Sequence, residues 1–183
     1  MSETVSQRLL LEDMVPEGLA RPDDVAPEVF DAALGKFLDG QRLDMRALAE
    51  ELGIGRATLY RRVRDRNQLL SEVIWWLTRH LIARAVDAGS RKRSPHQRTL
   101  AVIESLLRDT TASAPLRRFL DQEPEAALRI LTSKQGRVQS GLVDALGRLL
   151  EREQPATGID SLTLAYAIVR IAEGFLYADV IAA

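Results

Sequence analysis

Five arginines crowd between positions 56 and 66 of this 183-residue chain: Arg56, Arg61, Arg62, Arg64 and Arg66, with Asp65 as the lone acid among them. A guanidinium pairs bidentately with phosphate oxygens and with the O6/N7 edge of guanine. Thr58 and Tyr60 lie within the cluster and add hydroxyls that can bond phosphate. The chemistry open to this set is recognition of a polyanion, not bond making. A charge run can equally be a solvated helix face, so the elements that carry the cluster must decide.

Those elements read as two short helices joined by a glycine corner. Asp44 sits where a carboxylate accepts from the first free backbone N–H groups of a helix. Met45, Leu48, Ala49 and Leu52 recur at helical spacing and give that helix one apolar face. Gly53 follows the last of them, suited to the left-handed conformation that ends a helix. Ile54 can fill the corner and Gly55 precedes the second helix. Leu59 and Val63 turn one side of this second helix to a core, leaving Arg56, Thr58, Tyr60, Arg61 and Arg62 mostly outward. The layout is that of a helix-turn-helix, whose second helix enters the major groove of DNA.

The segment from about Pro27 to Leu70 resembles the TetR family of bacterial transcriptional repressors. Val29-Phe30-Asp31-Ala32-Ala33-Leu34 with Phe37 resembles the family's first helix. Met45 to Gly53 resembles its second, and Arg56-Ala57-Thr58-Leu59-Tyr60 its recognition helix. Arg66-Asn67-Gln68-Leu69-Leu70 looks like the opening of its fourth. The resemblance implies that Tyr60 bonds a backbone phosphate, with Thr58 doing the same or lying nearby. It implies that Arg56, Ala57 and Arg61 face base edges, with Arg62 outward beside them, and that Arg66 adds a phosphate contact. Three positions depart from the usual pattern. Asp44 stands where threonine is common and would repel phosphate, Gly55 lacks a serine or threonine hydroxyl, and Val63 replaces a phenylalanine. The look of Arg56 to Tyr60 and of the final helix is similar to a subgroup that controls quorum-sensing signal degradation.

Charge is focused. The whole chain carries −1, yet residues 1–40 carry −6, residues 41–93 carry +6 and residues 94–183 carry −1. A basic middle between an acidic lead and a near-neutral remainder fits a DNA-reading module joined to something else. There is no cysteine, so neither a disulfide framework nor a thiolate metal site is expected. His80 and His96 are too few and too far apart for a zinc site. No run is long and apolar enough for a membrane span, and the first residues lack the layout of a secretion signal. A cytoplasmic protein with no cofactor is expected. No catalytic constellation is evident, and Gly53-Ile54-Gly55 lacks both a third glycine and a preceding strand. An enzyme is therefore not expected. A helical protein–protein adaptor would explain the apolar last helix but not the arginines.

The pattern predicts an all-α chain in three parts. Residues 1–25 form an acidic, largely irregular arm with a short helix over Ser6–Met14. Residues 26–70 form the DNA-binding domain, opened by Pro27 as the first residue of a helix that Gly40 ends. Residues 71–183 form a helical regulatory and dimerisation domain. Asp65 should cap a long helix reaching about Val86, with Gln68 reaching back to it in a near capping box. A polar loop over Gly89–Pro95 should follow. Further helices are expected over Pro95–Ala112, Pro115–Leu120, Glu123–Ser133, Arg137–Glu153 and Ser161–Ile181. The last is apolar around most of its circumference and so must be covered on most sides. With the preceding helix, where Gly141 points to a close contact, it should form a homodimer that matches a palindromic operator on double-stranded DNA.

The family resemblance further implies a pocket for a small-molecule effector in the C-terminal helices. Candidate lining residues are Trp76, His80, Phe119, Leu142, Arg170 and Tyr177, aromatic walls with a few polar anchors. Aromatics at this spacing are also ordinary core, and Arg170 can simply pair with Glu173. The implied mechanism is release of the operator when ligand selects a conformer whose recognition helices are wrongly spaced.

Overall fold

Every regular element expected from periodicity is helical, and the structure, a computed structural model, bears this out. It describes Pro22, residues 25–153 and residues 158–178. Among these residues there are nine α-helices and no strand. The chain divides into two compact units, Met1–His80 and Leu81–Ala183. The short helix expected over Ser6–Met14 lies outside the described residues, as does the expected end of the last helix at Ile181.

In the first unit, α1 spans Pro27–Leu38, α2 Met45–Glu51 and α3 Arg56–Val63. Pro27 opens α1, where its missing N–H costs nothing. α1 and α2 end in the same way. Gly40 and Gly53 take φ of 68° and 64°, a region open to glycine and strained for most side chains. Gly40 N–H donates to the Phe37 carbonyl and Gln41 N–H to that of Lys36; Gly53 donates to Glu50 and Ile54 to Ala49. These paired bonds satisfy carbonyls the helix would leave open. Asp44 caps α2, accepting from the N–H groups of Arg46 and Ala47 at 2.7 and 2.9 Å. Val29, Phe30, Leu48, Leu59 and Leu69 are fully enclosed and form the core of this unit. Lys36 and Glu51 bridge α1 to α2 at 2.6 Å.

Helix α4 spans Arg66–Ser90 and the division between units falls within it. Asp65 caps it, accepting from Gln68 N–H at 2.8 Å. Gln68 does not complete the box. Its side chain donates to Glu72 instead, and the Asp65 N–H is already given to the Val63 carbonyl at 2.7 Å. The helix also passes the expected end at Val86 and takes in Gly89. A Cβ there would lie 2.9 Å from Val102 Cγ2 and 3.2 Å from the Arg98 carbonyl oxygen. Gly89 therefore marks close helix approach, not the start of a loop.

The second unit continues with α5 (Pro95–Ala112), α6 (Ala114–Gln122), α7 (Pro124–Leu131), α8 (Arg137–Glu153) and α9 (Ser161–Leu176). Ser94, Ser113 and Asp160 cap α5, α6 and α9 with their side chains. The core joins Ala85 and Val102 to Val143, Leu146 and Leu150 of α8 and to Ala165 and Val169 of α9. α8 and α9 cross at Gly147, where a Cβ would sit 3.4 Å from Leu162 Cδ1. Arg98 ties α5 to the end of α8, its Nε donating to Glu153 Oε2 at 2.8 Å. Glu153 is buried, and the Arg98 guanidinium holds its carboxyl below the ordinary range against the opposing effect of burial.

Candidate nucleic-acid interface and cavity

Helix α3 is amphipathic in the way a reading helix requires. Leu59 and Val63 are buried, while Arg56, Ala57, Tyr60, Arg61, Arg62 and Arg64 are exposed. Thr58 is half-buried. Tyr60 keeps 39% of its surface in solvent. The corner before α3 is short: only Ile54 and Gly55 separate the left-handed Gly53 from Arg56. Gly55 supplies no side-chain cap. Asp44 is held below the usual carboxylate range by the N–H groups of Ala47 and Arg46, and by the charges of Arg46 and Arg56. It remains an anion near Arg56, and its charge opposes phosphate there.

Two of the expected DNA contacts already have partners within the protein. Arg62 Nη1 donates to Glu28 Oε1 of α1 at 2.6 Å. Arg66, half-buried, donates from Nε to the Leu43 carbonyl at 2.7 Å. Arg66 thereby ties the start of α4 to the segment before α2. A guanidinium has five N–H donors, so neither residue is spent by one bond, but each is aimed by it.

The turn from α3 to α4 is unusual. Arg64 has φ 60° and ψ −73°, and the Asp65 N–H bonds the Val63 carbonyl two residues back. This is the γ-turn of positive φ, rare and strained for a residue with a Cβ. It reverses the chain in three residues and leaves Arg64 exposed beside Arg61 and Arg62 in sequence.

The second unit contains a cavity of about 110 Å3. Its walls are aliphatic, with side chains such as Val102, Leu106, Leu142, Leu146 and Ile168, and the polar lining residues are Thr110, Glu173 and Tyr177. Of the expected lining residues, Leu142 and Tyr177 are there. Arg170 is not a lining residue; its Nη1 donates to the lining residue Glu173 at Oε2, at 2.7 Å. Phe119 is buried in α6 and is not a lining residue. Trp76 and His80 belong to the first unit. The Trp76 ring meets Phe30 edge-on at 5.7 Å and lies 4.0 Å from the His80 ring, whose Nδ1 bonds the Trp76 carbonyl at 2.8 Å.

Glu173 was visible in the sequence only as a possible partner of Arg170; Gln139, at the other side of the carboxylate, was not singled out at all. Gln139 Nε2 donates to both Glu173 oxygens at 2.8 and 3.0 Å. Both residues are buried. The available signal was polarity on an otherwise apolar helical face, which is costly unless paired. Burial, and secondarily the charge of Glu173, push the Tyr177 phenol well above its ordinary range and keep it neutral.

Residues 96–183 match the family described as Tetracyclin repressor-like, C-terminal domain. Among solved structures, the chain is similar to the R. erythropolis transcriptional repressor QsdR from the TetR family. The two share 30% sequence identity with a TM-score of 0.73 over 84% of this chain and 82% of that one. No curated protein matches. No helix among the described residues is long and apolar enough to cross a membrane. An outward-facing basic α3 behind a glycine corner, a matching C-terminal domain and a likeness of this extent lead to one assignment: the chain belongs to the TetR family of DNA-binding transcriptional regulators.

Proposed function

We propose that the protein is a repressor that binds a palindromic operator as a homodimer and leaves it when a small molecule fills the cavity of the second unit. The observation that carries the DNA reading is α3 itself. Its buried Leu59 and Val63 fix which face points outward, and that face bears Arg56, Ala57, Tyr60 and Arg61. In this reading Arg56, Ala57 and Arg61 read base edges in the major groove. Tyr60, Thr58, Arg62 and Arg66 hold the phosphates and set the register.

The dimer reading rests on α9. Ala165, Val169 and Glu173 are buried within the protomer, while Leu162, Ile171 and Phe175 keep 55%, 61% and 81% of their surface exposed. Small residues, Thr163, Ala167 and Gly174, are exposed on the same helix. Small residues allow close approach and exposed apolar ones supply the driving force, so α8 and α9 of two copies would form a four-helix bundle. Two half-sites then mirror the protein symmetry.

Release follows as a population shift. A ligand that binds a conformer with misplaced recognition helices drains the operator-bound state by its difference in affinity for the two. Arg56 to Tyr60 and the final helix also support placement in the subgroup that controls quorum-sensing signal degradation. Selection of bound sequences from random duplex DNA tests the whole reading. A palindromic consensus is expected, with affinity falling steeply between low and moderate salt. Failure to enrich any duplex would refute it.

A further inference from the structure

We infer that the cavity takes a small apolar molecule with one hydrogen-bond-donating head, an alcohol or an amine, and that Glu173 receives that head. The inference rests on the reading of the cavity as the effector site. A cavity of roughly 150 Å3 with apolar walls accommodates a benzene ring. The 110 Å3 here suits a body of about six carbon atoms. Aliphatic walls give such a body affinity but no orientation, so the few polar atoms must supply it.

Glu173 is suited to that part. It lines the cavity and its carboxylate is buried. Oε2 accepts from both Gln139 and Arg170, whereas Oε1 accepts from Gln139 alone. A carboxylate has about four acceptor positions across its two oxygens, so Oε1 retains one. A buried acceptor left incomplete favours a ligand that donates to it. An anionic head meets the opposite situation: it brings like charge to a buried carboxylate, where repulsion is stronger than between groups in bulk water. Arg170, half-exposed and not among the lining residues, balances the Glu173 charge. The site therefore selects for donation first and for positive charge only second.

The test is calorimetric titration of the full chain with 1-hexanol, hexylamine and hexanoate. 1-Hexanol and hexylamine are expected to bind at least about tenfold more tightly than hexanoate. In Glu173→Gln the gap between hexylamine and hexanoate should shrink to about threefold or less. In Arg170→Ala, which alters a half-exposed side chain and should fold normally, the same gap should widen. Hexanoate binding as tightly as 1-hexanol would overturn the inference. So would a gap that survives Glu173→Gln, a gap unchanged in Arg170→Ala, or no binding of any probe. Operator release by the same probes is measured separately. Binding in the expected order without release would sink the release mechanism and leave the role of Glu173 standing. Release without the expected order would do the reverse.

Discussion

Arg62 of the reading helix is bonded to Glu28 of the first helix, Nη1 to Oε1, at 2.6 Å. The pair joins residues 34 positions apart and fastens the exposed side of α3 to α1. It also places a carboxylate beside an arginine proposed to hold phosphate. The Glu28 carboxyl is held below its usual range by a backbone hydrogen bond first and by Arg62 second, so it stays charged at neutral pH.

Removing that carboxylate should strengthen DNA binding. Glu28→Gln keeps an oxygen that can aim Arg62 but removes the negative charge beside the phosphate Arg62 is proposed to hold, so affinity should rise at low salt and the gain should fade as salt screens the charge. Binding isotherms on operator and random duplex at several salt concentrations check this. Both affinities are expected to rise by a similar factor, because phosphate contacts carry no sequence information.

Tyr60 and Arg61 should fail in different ways. Tyr60→Phe removes a hydroxyl proposed to meet phosphate and should weaken all duplexes by roughly tenfold. Arg61→Ala, or Arg56→Ala, should relax preference at particular base pairs, with about 1–3 kcal/mol of discrimination lost at each. Repeating the sequence selection with each variant separates uniform from positional loss.

Arg64 is a place where stability can be gained. Its positive φ stores strain of about 1 kcal/mol or more, which glycine would relieve. Arg64→Gly is expected to raise the melting temperature by about 2–4 °C, and Arg64→Val to lower it. Thermal denaturation followed by circular dichroism reads both.

His80 should make the protein acid-sensitive. Burial lowers its pKa, with the charge of Arg79 acting in the same direction and the Trp76 carbonyl opposing. The folded state thus takes up a proton less readily than the unfolded chain, whose histidine titrates near 6.5. Stability is full above that pH and declines as pH falls through it toward the lower folded value. Urea midpoints between pH 8 and pH 5 should show the decline, and His80→Phe should flatten it over that window.

Gly89→Ala should destabilise even though alanine favours helix. The new methyl would press on Val102 and on the Arg98 carbonyl, and such overpacking costs about 1–3 kcal/mol. Val102→Ala in the same chain should recover part of the loss, because it removes the nearer obstacle. A double-mutant cycle on unfolding free energies measures that coupling.

What the sequence made legible was local. The Asp44 cap, the Gly53 corner and the outward arginines follow from spacing and backbone conformation within a few residues, and each is present. All-α architecture followed from periodicity in the same way. Partners distant in sequence were hidden. Nothing in the order of residues pairs Arg62 with Glu28, Arg66 with the Leu43 carbonyl, or Gln139 with Glu173. Periodicity says which face a residue occupies but not which neighbour that face meets. Trp76 and His80 show the same limit: they are buried as their types imply, yet they meet each other, and Trp76 meets Phe30 edge-on, while the cavity forms around Leu142 and Tyr177. Gly89 misled in the opposite direction. A glycine beside polar residues reads as a break, and only the closeness of α5 explains its place in a helix.

The two-link corner between Gly53 and Arg56 sets a constraint of its own. The buried Leu59 and Val63 fix how α3 is turned about its own axis, so an inserted link has to be taken up in the corner itself, where it would shift Arg56 away from Gly53. The side chains proposed to touch bases can change and yield new operators, whereas the number of links that aims them is constrained. Variation in this part of the molecule is therefore free in spelling and closed in length.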